Sequence, residues 1–156
     1  MNQETTLRVA SVAVLWVLAV PVWGGDGPQG AIALTPSQLN WKPAGQPGRE
    51  SAALFGDSKA PGPYVERVRY PPHFVLQPHS HPDQRTYTIL SGTWYIGYGD
   101  KFDESKLQAL PAGSFYVEPA GVSHFVASKD EPVVFQLSGT GPTATHFVDP
   151  AHAPKK

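Results

Sequence analysis

Pro78-His79-Ser80-His81-Pro82-Asp83-Gln84-Arg85-Thr86-Tyr87 is the stretch on which the reading of this chain turns. Side chains alternate along a strand with period two, so His79 and His81 direct their imidazoles to one face. A third histidine, His124, sits inside Gly113–Ser128, a segment punctuated by Gly113, Pro119 and Gly121. Carried on a later strand, it can meet the first two across a small barrel. A lone buried histidine is commonplace, whereas three converging imidazoles point to a metal site. The chain has no cysteine, which leaves histidine as its strongest soft-side ligand.

The spacings go further than an isolated pair. His79-x-His81-x3-Arg85-x6-Gly92 follows the first cupin motif, and Gly113-x5-Pro119-x-Gly121-x2-His124-x3-Ser128 follows the second. Over Tyr64 to Val148 the chain resembles the small single-domain cupins of the "cupin 2" conserved-barrel type. The resemblance implies an all-β fold: a cupin jelly-roll barrel of two antiparallel sheets, here preceded by an irregular N-terminal arm. It also implies one divalent transition metal (Fe, Mn, Ni, Cu or Zn) held by three histidines and a glutamate.

Three positions depart from that pattern. The glycine expected six residues before His79 is His73, and the closing asparagine is Ser128. The ligand glutamate is replaced by Arg85, whose guanidinium is always protonated and has no lone pair to offer. Two residues are candidates to complete a shell with His79, His81 and His124. Gln84 offers an amide oxygen if the loop shifts by one residue. Glu118, the only carboxylate inside the second motif, can reach the ion or pair with Arg85.

Composition bounds the rest. At 156 residues the chain fits one folded domain behind a separate N-terminal segment. A formal net charge of −1 gives nucleic-acid binding no electrostatic support. Fifteen glycines and seventeen prolines spread along the chain suit many short strands joined by tight turns. Without cysteine there are no disulfides, thiolate zinc sites or thiol nucleophiles. No phosphate-binding glycine loop and no G-x-S-x-G elbow is present.

Leu7 to Trp23 is an apolar run broken only by Arg8 and Ser11 near its start, followed by Gly24-Gly25-Asp26-Gly27-Pro28. Its length suits the hydrophobic region of an export signal and lies at the short limit for a membrane span. Ala31-Ile32-Ala33 offers an A-x-A cleavage site, and Val22-Trp23-Gly24 a nearer one. Residues 1–33 are therefore expected to be an export signal, or else a retained membrane anchor, and the rest to be periplasmic or extracellular. Residues 34–63 read as an irregular arm in which Trp41 plugs one end of the core. Residues 64–148 read as the barrel, and residues 149–156 as a frayed tail.

Within the barrel, strands are expected at Tyr64–Tyr70, Phe74–Gln77, Thr86–Leu90, Thr93–Tyr98, Ser114–Glu118, His124–Ala127, Val133–Leu137 and Thr143–Val148. Gly99 to Pro111 reads as a solvated loop with one helical turn. Alternation places Tyr87 and Ile89 on the face of Arg85, and Val126 and Ser128 on the face of His124. The aromatic strands around Trp94 and Phe115 suit packing and a homodimer contact.

Three neutral imidazoles leave a divalent ion its full charge and open positions, the mark of a catalytic site. Arg85 and Tyr87 are the catalytic candidates: Arg85 to clamp a substrate carboxylate or enolate, Tyr87 to donate a proton or hydrogen bond. The thiol-dioxygenase branch of the cupins is similar, with three histidines on iron and an arginine on the substrate acid. The resemblance therefore implies an oxygenase acting on a small anionic or enolisable molecule. The other reading is a non-catalytic module that binds a metal or small ligand.

Overall fold

A computed structural model of the chain describes residues 30–154. The apolar run Leu7 to Trp23, on which the export or anchor reading rests, lies outside the described residues. Among the described residues, no helix is long and apolar enough to cross a membrane.

Among the described residues, eleven strands follow one another in chain order. They are β1 (Lys42–Pro43), β2 (Glu50–Phe55), β3 (Gly62–Tyr70), β4 (Val75–Ser80), β5 (Arg85–Ser91) and β6 (Thr93–Tyr98). After them come β7 (Gln108–Pro111), β8 (Phe115–Glu118), β9 (His124–Ala127), β10 (Val133–Gly141) and β11 (His146–Phe147). A six-stranded sheet runs β1-β2-β3-β10-β5-β8, and a five-stranded sheet runs β11-β4-β9-β6-β7. All pairings are antiparallel. The architecture is the all-β jelly roll expected.

The core lies between the sheets. Tyr64, Val68, Tyr70, Tyr87, Ile89, Phe135 and Leu137 face inward from the larger sheet, and Leu76, Trp94, Ile96, Leu110 and Val126 from the smaller. β5 shows why these residues make strands. Arg85, Tyr87 and Ile89 are buried while Thr86, Thr88 and Leu90 between them are more exposed, so one strand of β-branched and aromatic residues has a wet and a dry face. Gly92 turns β5 into β6 at φ 72°, and a Cβ there would run into the Pro132 carbonyl oxygen. Only glycine satisfies both constraints.

The structure departs from expectation in four places. Within residues 34–63, β2 pairs with β3 and β1 with β2, so the larger sheet begins well before Tyr64. Glu50–Phe55 follows a Pro/Gly-rich segment that masks its strand character. Trp41 does not plug the core; it lies on the outer surface, with the Arg69 guanidinium 4.4 Å from its ring centroid. Gly99 to Pro111 is only partly a loop. Its last four residues are β7, and Phe102 covers Phe125 at a centroid distance of 5.2 Å. Thr143–Val148 shrinks to the two-residue β11, and the tail forms a 3-10 turn at Pro150–His152 whose N-terminus is capped by the Asp149 carboxylate.

Two motif departures now have a physical account. His73 adopts φ 56°, the left-handed conformation that glycine supplies without a Cβ penalty. His73→Gly relieves that strain but loosens the unfolded chain, so a net gain of about 0.5–1 kcal/mol is expected. Chemical denaturation reads it, and a less stable variant would contradict it. Ser128 is buried and clasps the turn before β4: its hydroxyl donates to the Pro71 carbonyl at 2.5 Å and accepts from the Phe74 amide at 3.1 Å.

Candidate metal centre

His79 lies directly opposite His124 in the β4–β9 ladder, and the residue after β4 is His81. All three are buried. One nitrogen from each lies within 4.8 Å of the others, a spacing that one ion can bridge.

Backbone carbonyls fix the tautomers. Nδ1 of His79 donates to the Gln77 carbonyl at 2.7 Å, Nδ1 of His81 to Ala144 at 2.7 Å and Nδ1 of His124 to Val122 at 3.0 Å. A neutral imidazole that donates through Nδ1 carries its lone pair on Nε2. Such outer hydrogen bonds hold ligating histidines in orientation and raise their basicity.

Glu118 meets these lone pairs from the other sheet. Its Oε1 is 3.5 Å from His81 Nε2 and its Oε2 is 3.2 Å from His124 Nε2. β8 ends at Glu118 and β9 begins at His124, so the tight segment Pro119–Ser123 carries the chain from one sheet to the other and brings the two side chains together. Oε1 is buried with no hydrogen-bond partner. Carboxylate oxygens facing imidazole lone pairs at this distance repel each other unless a cation or a proton lies between them. Three imidazole nitrogens and one carboxylate, so arranged, fit a divalent transition metal.

Glu118 occupies this place because of register. Arg85 and Glu118 are directly paired across β5 and β8. The carboxylate that the first motif would carry at position 85 is thus supplied by its cross-strand neighbour. Gln84, the other candidate, does not join the site. It is exposed, since alternation turns it outward between buried Asp83 and buried Arg85.

Arg85 does not form its close ion pair with Glu118. Its Nε approaches Asp83 Oδ1 at 3.5 Å, its Nη1 the Tyr87 hydroxyl at 3.4 Å, and its Nη2 donates to Thr143 Oγ1 at 2.8 Å. Asp83 in turn accepts from the Tyr64 hydroxyl at 2.8 Å and from Thr143 Oγ1. This buried Tyr64–Asp83–Thr143–Arg85 network escaped the sequence reading. Asp83 had a signal, because the period that buries His79 and His81 continues through 83, 85 and 87. Tyr64 and Thr143 had none, since only tertiary folding brings them near.

Gly139 supports the network from β10. A Cβ there would strike Asp83 Oδ2 and lie 2.7 Å from the Tyr64 hydroxyl. Gly139→Ala is therefore expected to cost about 2 kcal/mol through overpacking and a displaced buried carboxylate. Denaturant unfolding checks this, and a variant as stable as the parent would refute it.

Burial sets the electrostatics. It lowers His79 to about 3, with His124 adding to the effect, and His81 to about 2, with Arg85 adding. It lowers His124 to about 4. It raises Glu118 to about 7 against the pull of Arg85. Burial also pushes the Tyr87 phenol well above its ordinary value, so Tyr87 remains a neutral hydrogen-bond donor. His73, His146 and His152 are exposed and take no part.

A cavity of about 700 Å³ opens from the centre; Arg85, Tyr87, Glu118 and the three histidines all line it. The family model described as the ChrR cupin-like domain matches residues 29–144, more than half of the chain. The chain belongs to the ChrR cupin-like family. This small cupin is 31% identical over 82 residues to germin-like protein 9-3 of Oryza sativa subsp. japonica, covering 52% of the chain but 38% of that protein. The cupin thus spans well under half the length of this relative. Among solved structures it is similar to the polyketide cyclase RemF of Streptomyces resistomycificus. There the TM-score is 0.65 at 15% identity, covering 78% of the cupin and 88% of RemF. It is also similar to the DMSP lyase DddQ of Ruegeria pomeroyi, with a TM-score of 0.54 at 15% identity over 75% of the cupin and 72% of DddQ. At such identities the likeness is one of fold.

Proposed function

We propose that this cupin is a metal-dependent enzyme that oxygenates a small anionic or enolisable substrate. The observation that carries the metal is the opposition of the Glu118 carboxylate to two imidazole lone pairs, with Oε1 left unpaired. His79, His81, His124 and Glu118 would hold the ion. When bound, a divalent iron, manganese, nickel or copper ion supplies Lewis-acid and redox chemistry, and zinc the Lewis-acid part alone.

The chain's own residues supply the rest. Arg85 presents fixed N–H donors to a substrate anion. Tyr87, held at its hydroxyl by Arg85, donates a hydrogen bond to an oxygen that gains charge. The aromatic and aliphatic walls give the reacting atoms a largely apolar surround. Neighbours of the same fold include a cyclase and a lyase, which supports an enzymatic use of the barrel. We also propose export, on the strength of the apolar run Leu7 to Trp23 and the Ala31-Ile32-Ala33 site.

Elemental analysis of the purified protein, followed by oxygen uptake with a diketone, a flavonol and a thiol, tests the reading. Bound transition metal in near-equal proportion to protein, with turnover on one substrate, is expected. A metal-free barrel that does not take up added metal would overturn it.

A further inference from the structure

Arg85 is 8% exposed, yet its charge is poorly matched. Among the described residues its one ion-pair partner is Asp83, at 3.5 Å, and that carboxylate already accepts hydrogen bonds from Tyr64 and Thr143. Of the guanidinium's three polar contacts only that to Thr143, at 2.8 Å, is short. Five N–H donors on a buried cation are costly to leave in this state. With a divalent ion in place, the buried charges are the ion, Arg85, Asp83 and Glu118. Two positive charges from the ion and one from Arg85, against one negative charge each from Asp83 and Glu118, leave one positive charge in excess. The site therefore lacks a single negative charge.

The wall beyond Arg85 is aromatic. Tyr87 and Tyr116 stack with centroids 4.4 Å apart and planes 8° apart. Tyr70 and Trp94 stack at 5.0 Å and 29°, with Phe135 5.1 Å from Trp94. All five line the same cavity as Arg85 and the histidines. Such a wall favours a planar ring over a puckered one, because π faces gain most from offset stacking. Lys42, Arg49 and Lys59 lie along the lining as well, opposed by Glu66. This surplus of positive charge at the cavity raises the local concentration of anions.

We infer that the cavity takes a planar aromatic monoanion, its acid group on Arg85 beside the metal and its ring among the lining side chains of Tyr70, Tyr87, Trp94 and Tyr116. The inference rests on the metal reading above, and it narrows the substrate from any small acid to this class.

Calorimetric titration of the metal-loaded protein with 2-naphthoate, 2-naphthamide and cyclohexanecarboxylate separates charge from ring shape. Binding of 2-naphthoate is expected, with at least about a tenfold loss for the amide and a similar loss for the puckered acid. Affinity for 2-naphthoate should fall as salt rises, through the basic lining. Arg85→Gln should bind acid and amide alike. Should that variant fail to fold, the three ligands on the parent protein still decide. An amide that binds as tightly as the acid, or a puckered acid that binds as tightly as the flat one, overturns the inference. So does a metal-loaded protein that leaves 2-naphthoate unbound. Metal content measured on the same sample keeps the two readings apart, since a protein that takes up no metal fails the earlier one.

Discussion

Glu118→Gln is expected to weaken divalent metal binding by at least about a hundredfold while making the metal-free barrel more stable above pH 7. The two effects have opposite signs and one cause. Burial among imidazoles and aromatic rings raises the Glu118 carboxyl from 4.5 to about 7. A folded-state value above the unfolded one means that the fold favours the protonated acid. Below pH 4.5 both states hold the proton and nothing is lost. Between 4.5 and about 7 the penalty grows, and above 7 the metal-free fold must hide an ionised carboxylate, at a cost on the order of 3 kcal/mol. Glutamine has no charge to hide, and its amide can donate to His124 Nε2, which the carboxylate faces at 3.2 Å. A bound cation reverses the balance, because the ionised carboxylate then gains a partner that glutamine cannot match. Metal titration and urea unfolding of chelator-treated proteins at pH 5 and pH 8 provide the check. An unchanged metal affinity would remove Glu118 from the shell. A metal-free variant less stable than the parent at pH 8 would refute the burial argument.

The local part of this site was readable from the sequence because strand geometry has a period of two. His79 and His81 share a face for that reason alone, and the later glycine-punctuated strand suggested His124. The same rule, carried through Pro82, places Asp83 inside and Gln84 outside. A proline and a break in the strand invited the reverse choice, yet the burial alternation runs unbroken from His79 to Ile89. What could not be read was register. Nothing local tells Arg85 that its cross-strand partner is Glu118. Nor does anything local tell His81 that its Nδ1 will find the Ala144 carbonyl sixty-three positions away. β2 went unrecognised for a related reason. Its Glu-Ser-Ala-Ala-Leu-Phe run lacks β-branched residues, and pairing with β3, rather than propensity, makes it a strand.

The second large effect is acid lability of the metal-free protein. Three buried imidazoles titrate at about 3, 2 and 4 in the fold against 6.5 for a free side chain. Folded-state values lower than unfolded ones mean that these groups cost nothing above pH 6.5 and oppose folding as pH falls below it. Glu118 works the other way over the same range, since the fold keeps its proton up to about 7 while the unfolded chain releases it above 4.5. By about pH 5.5 the unfolded chain has taken up nearly three protons that the fold refuses and lacks one that the fold keeps, a net difference close to two. Two protons correspond to about 2.7 kcal/mol lost per pH unit. A domain with about 5–15 kcal/mol in hand, a common range, loses about 3 kcal/mol between pH 6.5 and 5, since the full slope develops only over that interval. Stability of the metal-free protein should climb through pH 6.5 and level off above about pH 7, where the last imidazole gain and the Glu118 loss nearly cancel. Metal occupies the lone pairs that protons would take, so loading should move the acid transition to lower pH and make it depend on free metal concentration. Thermal melts from pH 4.5 to 8, with chelator and with added metal, read both effects. A flat profile between pH 5 and 6.5 without metal would show that these rings take up protons in the folded state, and the buried neutral donor set would be lost with it.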